Sequence, residues 1–289
     1  MIIWLASYPK SGNTWMRTII NEIFFNEKNI KEEVFSNLEK NIDIYPKINH
    51  FLNLTSSLKN INDFQNREEI IKNWINSQQR INADKRLRFY KTHNYLCSYT
   101  VNGIKYNFTD LKNTLGVIHI VRDPRNVITS LKNHFFFKSY EETLNMMKDE
   151  HWWIGLSEKE VPQALSSWQQ HYLSWSSFPN NYILFKYEDL LNDTKNQIKR
   201  LIVYLKKFTK FEINEKRIDR IIENTSFSNL KKLENEGMFK EKAINLKTKE
   251  ERNFFYLGPK NNFSDFLDKK IKYNVEKNFK KAMFKLNYI

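Results

Sequence analysis

A chain of 289 residues with 40% hydrophobic and 15% aromatic content can bury a large core and is not intrinsically disordered. Six glycines and six prolines exclude collagen-like and low-complexity architectures, and the lone Cys97 excludes an intramolecular disulfide framework or a Cys-rich zinc site and fits a reducing compartment. The net charge of +14 concentrates after residue 194, where it reads chiefly as lysines on solvated helix faces and secondarily as a field that attracts an anionic ligand.

The N-terminal residues MIIWLASYPK lack a basic stretch ahead of the apolar ones, and no later run approaches the ~18 apolar residues of a membrane span. The expectation is a soluble, cytoplasmic protein. Ile2 to Ser7 form a short apolar run halted by Tyr8-Pro9, which predicts a buried strand. Trp15, Ile19, Ile20, Ile23 and Phe24 then recur at helical spacing, predicting a helix over Thr14 to Phe25. A polar helix is expected over Lys31 to Glu39, irregular chain to Asp63, and a helix over Arg67 to Arg80. Arg86 to Tyr90 lead as a second strand into Lys91-Thr92-His93. Leu115 to Val121 read as a third, followed at once by Arg122-Asp123-Pro124 and a helix through Val127, Ile128 and Leu131, with proline favourably placed at the helix start. Helices over Ala164 to Trp175 and Tyr187 to Leu205 flank a fourth strand, Tyr182 to Phe185. The remainder reads as helical except for irregular chain from Glu236 to Ser264.

Strands separated by helices predict an α/β fold, a central parallel sheet flanked by helices. Such sheets bind ligands beyond the C-terminal ends of their strands, so Lys10 with Ser11 and Gly12, Lys91 with His93, and Arg122 are the candidates. No repeat or Pro- or Ser-rich linker interrupts the chain, which predicts a single domain, 1–289. The segment YPKSGNTW, Tyr8 to Trp15, sits between the first strand and the first helix. Helix N–H groups there can hold an anion, Gly12 permits close backbone approach, and Lys10 adds a positive charge. Neither a Walker A sequence nor a G-x-G-x-x-G occurs, which weakens an ATP-dependent kinase or NTPase reading and a dinucleotide one.

YPKSGNTW resembles the 5′-phosphosulfate loop of the cytosolic-type sulfotransferases, whose pattern is close to YPKSGTTW; only Asn13 departs. Ile118 to Ser130, IHIVRDPRNVITS, is similar to that family's 3′-phosphate strand and helix, with Arg122 at the strand end and Ser130 about two turns into the helix. Lys91-Thr92-His93 resembles the triplet carrying the family's base. Ser167 to His171, YILFKYEDL from Tyr182 to Leu190, and Thr225-Ser226-Phe227 extend the resemblance over most of the chain. It implies a phosphate-loop, nucleotide-kinase-like sulfotransferase fold and the donor 3′-phosphoadenosine 5′-phosphosulfate (PAPS), leaving adenosine 3′,5′-bisphosphate, with no metal.

By the same resemblance His93, Lys10 and Lys91 are the catalytic candidates, His93 as general base in an in-line transfer to a hydroxyl or amine. Lys10, Ser11, Gly12, Asn13, Thr14, Trp15, Arg122, Ser130, Tyr187, Thr225, Phe227 and Gly258 are the donor-binding candidates. An imidazole of ordinary pKa near 6.5 suits the base. His50, His119, His151 and His171 read as structural or exposed, and His134 as packing. The departure lies at FFYLG, Phe254 to Gly258, where the family has a basic RKG triplet: Tyr256 and Leu257 replace its charges, and Arg252 or Lys260 is expected to compensate. Phe135-Phe136-Phe137 and His151-Trp152-Trp153 favour a small aromatic or apolar acceptor and leave a polar glycan open, because aromatics also stack on sugars. Nucleic-acid binding has the basic C-terminal third and the many aromatics in its favour but lacks any recognition signature.

Overall fold

The structure is a computed structural model that describes residues 1–26, 33–35, 37–59, 63–64, 66–155, 161–239, 241, 243–245 and 248–289. In chain order it runs β1 (Ile2–Ser7), α1 (Asn13–Phe24), α2 (Leu38–Asn41), β2 (Ile42–Ile44), α3 (Ile48–Phe51), α4 (Arg67–Ile81) and β3 (Arg88–Thr92). The middle holds β4 (Ser98–Val101), β5 (Ile104–Asn107), β6 (Thr114–Val121), α5 (Pro124–His134), α6 (Tyr140–Lys148), β7 (Trp153–Ile154), β8 (Gln163–Ala164) and α7 (Trp168–Ser176). β9 (Tyr182–Lys186), α8 (Tyr187–Asn192), α9 (Thr194–Leu205), α10 (Glu215–Asn224) and α11 (Phe227–Asn235) come next. The chain then passes through β10 (Ala243–Ile244) and β11 (Glu251–Arg252) to α12 (Lys269–Asn278) and α13 (Lys280–Lys285).

The central sheet is five-stranded and parallel, in the order β2-β3-β1-β6-β9. β1 lies in its middle with all six residues buried, which is why it reads as an unbroken apolar run rather than an alternation. The α/β fold expected from the sequence is therefore present. Chain contacts sort the residues into two units, each made of three stretches. The first takes Met1–Tyr8, Ile42–His119 and Lys148–Leu184; the second takes Pro9–Asn41, Ile120–Met147 and Phe185–Ile289.

The first unit packs its sheet strands on a core of Trp4, Tyr45, Trp74, Tyr90, Phe108 and Trp175. Three buried polar ends in that core have clear partners, whereas Trp74 Nε1 has none among the described residues. Trp4 Nε1 donates to Thr114 Oγ1 (2.9 Å), the Tyr45 hydroxyl donates to the Trp74 carbonyl (3.1 Å), and Gln78 donates to the Phe108 carbonyl (2.6 Å). α4 presents Ile70, Ile71, Trp74, Ser77 and Gln78 inward and starts at Asn66, whose side chain accepts from Glu68 N. The second unit carries its own apolar cluster, Val34, Leu230, Leu233, Phe239 and Phe255, with Trp15 and Phe227 packed against it. Among the described residues no helix is long and apolar enough to cross a membrane.

Four departures from the sequence reading have local causes. A hairpin, β4 with β5, turns at Asn102 and Gly103, both at positive φ, as a two-residue loop of that composition favours. The helix expected from Ala164 begins only at Trp168, because Ser166 takes a φ of 62° and Ser167 caps the helix, while Gln163 and Ala164 pair with β7. The helix expected over Tyr187 to Leu205 is two, broken at Asp193 (φ −143°, ψ 57°). β2 and α3 occupy part of the stretch read as irregular. Of the helix expected over Lys31 to Glu39, residues 31, 32 and 36 lie outside the described residues, as do 240, 242, 246 and 247 of the irregular stretch after Glu236.

His119 and His171 are fully buried in the first unit, with ring centroids 6.0 Å apart, and His119 meets the Tyr182 hydroxyl at 2.8 Å. Burial holds His119 well below its usual pKa and pushes His171 down to about 3. Unfolded, each ring takes a proton near pH 6.5; folded, each stays neutral to far lower pH. The unfolded state thus binds more protons below about pH 6.5, and stability should fall as pH drops from there, by at most ~1.4 kcal/mol per pH unit for each ring. Melting temperatures between pH 8 and 5 are expected to show this slope in the wild type and a flatter one in His171→Gln. Equal slopes would assign the acid sensitivity to other groups.

Candidate functional site

β1 delivers the chain to a turn that only a few residue types accept. Lys10 has a φ of 65° and Gly12 a φ of 102°, both left-handed. Gly12 also stands as N-cap of α1 and supplies no side-chain cap to its first turn. A Cβ at Gly12 would come 2.8 Å from the Tyr187 ring, which leaves no room for a side chain. Ser11, Asn13 and Thr14 are buried, and Ser11 Oγ has no hydrogen-bond partner among the described residues. The Lys10 ammonium lies 3.3 Å from the centre of the Phe254 ring and 3.4 Å from the Phe254 carbonyl.

Arg122 follows the last residue of β6. Its guanidinium lies 4.1 Å from the Tyr187 ring centre, Nη1 donates to the Lys10 carbonyl (3.3 Å), and Nε is buried without a partner. Burial raises the Tyr187 pKa, against the pull of the Arg122 charge. The next residues hold this corner in place. Asp123 caps α5 by accepting from Arg125 N, Arg125 pairs with Asp123 (2.6 Å) and Glu276 (2.7 Å), and Asp123 N donates to Glu188 (3.0 Å). The Tyr288 hydroxyl donates to the other Glu188 oxygen (2.8 Å), and burial raises the Glu188 pKa. Ser130 is half-buried on α5.

Trp15 meets Tyr187 edge to face at 5.6 Å, with its Nε1 buried and unpartnered. The Thr225 hydroxyl donates to the Ile221 carbonyl (2.7 Å) at the end of α10, and Ser226 caps α11. Gly258 is pressed on Phe227, since a Cβ there would come 2.2 Å from its ring. Beyond Gly258 the chain is tied to α5: Thr129 Oγ1 donates to Asn261 Oδ1 (2.6 Å), Asn261 Nδ2 to the Asn126 carbonyl (2.8 Å), and Phe263 N to Asn126 Oδ1 (2.8 Å). Arg252 is turned to Glu250 (2.8 Å) and the Asn133 carbonyl (3.2 Å), over the Phe136 ring (4.3 Å).

Lys91 and His93 belong to the first unit. Lys91 is on β3, in register with Leu5 of β1 and Ile44 of β2. His93 follows the strand end, its N–H donating to Gln163 Oε1 (2.9 Å) and its Nδ1–H to the Ser7 carbonyl (2.6 Å). A carbonyl only accepts, so the Nδ1 proton is fixed and Nε2 is the basic nitrogen.

Within the second unit, then, Lys10, Gly12, Trp15, Arg122 and Tyr187 gather around one corner, and Phe227 with Gly258 forms another contact pair. Sequence reading missed Phe254, the partner of Lys10, and the Asn126, Thr129 and Asn261 ties. Nothing in local spacing signals the first; the second shows only as polar residues on the helix of Ser130. The unpartnered Ser11 Oγ, Trp15 Nε1 and Arg122 Nε, with the open first turn of α1, fit an anionic nucleotide.

The chain is 25% identical over 250 residues to Sulfotransferase 1E1 of Rattus norvegicus, covering 84% of this chain and 71% of that protein. It is 23% identical over 236 residues to the luciferin sulfotransferase of Photinus pyralis, covering 79% of this chain but only 56% of the relative. Mouse sulfotransferase SULT7A1 complexed with PAP shares the fold at a TM-score of 0.57 and 20% identity, over 98% of this chain and 84% of the other. So does retinol dehydratase in a complex with retinol and PAP, at a TM-score of 0.60 and 16% identity, over 98% and 81%. The family model described as the sulfotransferase domain matches residues 2–287. With nearly every residue inside that match, the chain belongs to the sulfotransferase domain family.

Proposed function

We propose that residues 1–289 act as one PAPS-dependent sulfotransferase domain, moving a sulfuryl group to a hydroxyl or amine of a small acceptor. The reading rests above all on the corner where Lys10, Arg122 and Tyr187 meet the uncapped N-terminus of α1. PAPS supplies, when bound, an activated sulfuryl group on a nucleotide carrying a second phosphate. Lys10 and the α1 N–H groups stabilise negative charge on the 5′ side, while Arg122 and Ser130 hold the 3′-phosphate. Trp15, Tyr187, Thr225 and Phe227 enclose the nucleoside. His93 takes the acceptor proton at Nε2, kept basic by the Nδ1–H bond to Ser7, and Lys91 supports the group in transit. The aromatic segments Phe135 to Phe137 and His151 to Trp153 favour an aromatic or apolar acceptor.

The reading is tested by thermal shift. Adenosine 3′,5′-bisphosphate is expected to raise the melting temperature at concentrations where ATP with magnesium does not. A larger shift with ATP and magnesium would replace this reading with a kinase or NTPase one.

A further inference from the structure

The pairing of β3 with β1 ends at Thr92 opposite Ala6, so the next backbone groups must find partners outside the central sheet. A side chain serves the first of them: His93 N donates to Gln163 Oε1 (2.9 Å). The next residue bonds the same strand, since Ala164 N donates to Asn94 Oδ1 (2.8 Å), and Tyr95 N donates to the Ala164 carbonyl (2.8 Å). His93 to Tyr95 are thus tied to both residues of β8, two of the three bonds running through the amide side chains of Gln163 and Asn94. Both of these residues are buried, where an amide without its partner is costly.

The same short strand reaches the other way. Ala164 pairs with Trp153 of β7, and Leu165 N and Ser166 N donate to the Trp152 carbonyl (2.9 and 3.1 Å). α7 adds two further bonds to the segment after His93: Trp175 Nε1 donates to the Asn94 carbonyl (2.9 Å), and Leu96 N donates to Ser174 Oγ (3.0 Å). All of these residues belong to the first unit. β8 therefore bonds at once to the backbone of His93 and to the aromatic pair Trp152-Trp153.

On the reading of His93 as base, we propose that Gln163 is a positioning residue: its amide oxygen fixes the backbone that carries the imidazole, which keeps Nδ1–H on the Ser7 carbonyl and Nε2 basic. The test compares Gln163→Leu and Gln163→Ala, which lack the acceptor atom, with Gln163→Glu, which keeps an oxygen at the same reach. In ligand-free protein at about pH 8, above the usual imidazole pKa, nitrogen-15 spectra should show the His93 ring protonated at Nδ1 alone in the wild type and in Gln163→Glu. Gln163→Leu and Gln163→Ala should show a mixture of tautomers. With PAPS and 2-naphthol as probe acceptor, these two variants should lower kcat about tenfold while affinity for adenosine 3′,5′-bisphosphate stays within about twofold. Combined with His93→Ala they should cost nothing further, because groups that act as a unit are not additive. A ring protonated at Nδ1 alone in Gln163→Leu or Gln163→Ala overturns the proposal whatever the rates, since the spectra need neither donor nor acceptor. An equal loss of kcat in the His93→Ala background, or a loss in Gln163→Glu as large as in Gln163→Leu, overturns it too and leaves His93 as base. Turnover that His93→Ala leaves unchanged overturns the base reading, and this proposal with it.

Discussion

Replacing His93 by alanine is expected to cut turnover about 10²-fold or more while leaving affinity for adenosine 3′,5′-bisphosphate near the wild-type value. The split follows from where the residue sits. His93 belongs to the first unit, beyond the end of β3, where it bonds to Ser7 and Gln163. The Ser7 carbonyl holds the Nδ1 proton, so the ring is oriented and its tautomer set before an acceptor arrives. His93→Gln retains a polar side chain of similar reach but cannot accept a proton at neutral pH, and it should be nearly as slow. Calorimetry and a sulfuryl-transfer assay on the same preparation decide the matter. Turnover within a few-fold of wild type in either variant would remove His93 from the role of base.

The second large effect is expected at Arg122. Its side chain is almost wholly buried, and Nε is unpartnered in a corner already bearing the Lys10 backbone and the Tyr187 ring. Arg122→Ala should cost about 1.5 to 3 kcal/mol of affinity for adenosine 3′,5′-bisphosphate, the range for a hydrogen bond to a charged group. Adenosine 5′-phosphate should be weakened far less. Arg122→Lys should recover only part of the loss, because a lysine offers a point charge where the guanidinium offers a planar fork. Equal loss for both nucleotides would show that Arg122 holds the corner together rather than reading the second phosphate.

What the sequence revealed depended on how local each cause is. β1 was legible because a central parallel strand is buried on both faces, so Ile2 to Ala6 are apolar without alternation. The start of α5 was legible from Asp123 and Pro124, a cap followed by a residue with no N–H to lose. The Asn102-Gly103 hairpin carried a readable turn signal in its Asn-Gly pair, although its two short strands were not among those expected. β2 is three residues long and exists only because β3 lies beside it, so no pattern within it could announce it. The proposed donor corner divides in the same way. Lys10 to Trp15 and Arg122 are short motifs at strand ends, whereas the Phe254 ring on Lys10 and the Lys231 bond to Tyr256 join segments far apart in the chain. Such pairs become visible only after the chain has folded.

The interleaving of the two units bears on how this protein is made. All of the first unit has been synthesised once Leu184 is added, whereas the second still awaits Phe185–Ile289, which brings Tyr187, α11 and the turn that seats Gly258 on Phe227. Chains tend to fold from the N-terminus as they leave the ribosome, so the His93 corner can settle while Tyr187, Thr225, Phe227 and Gly258, proposed above as donor contacts, are still missing. On the proposed donor reading, a nucleotide meets its full set of partners only once Gly258 has been added to the chain.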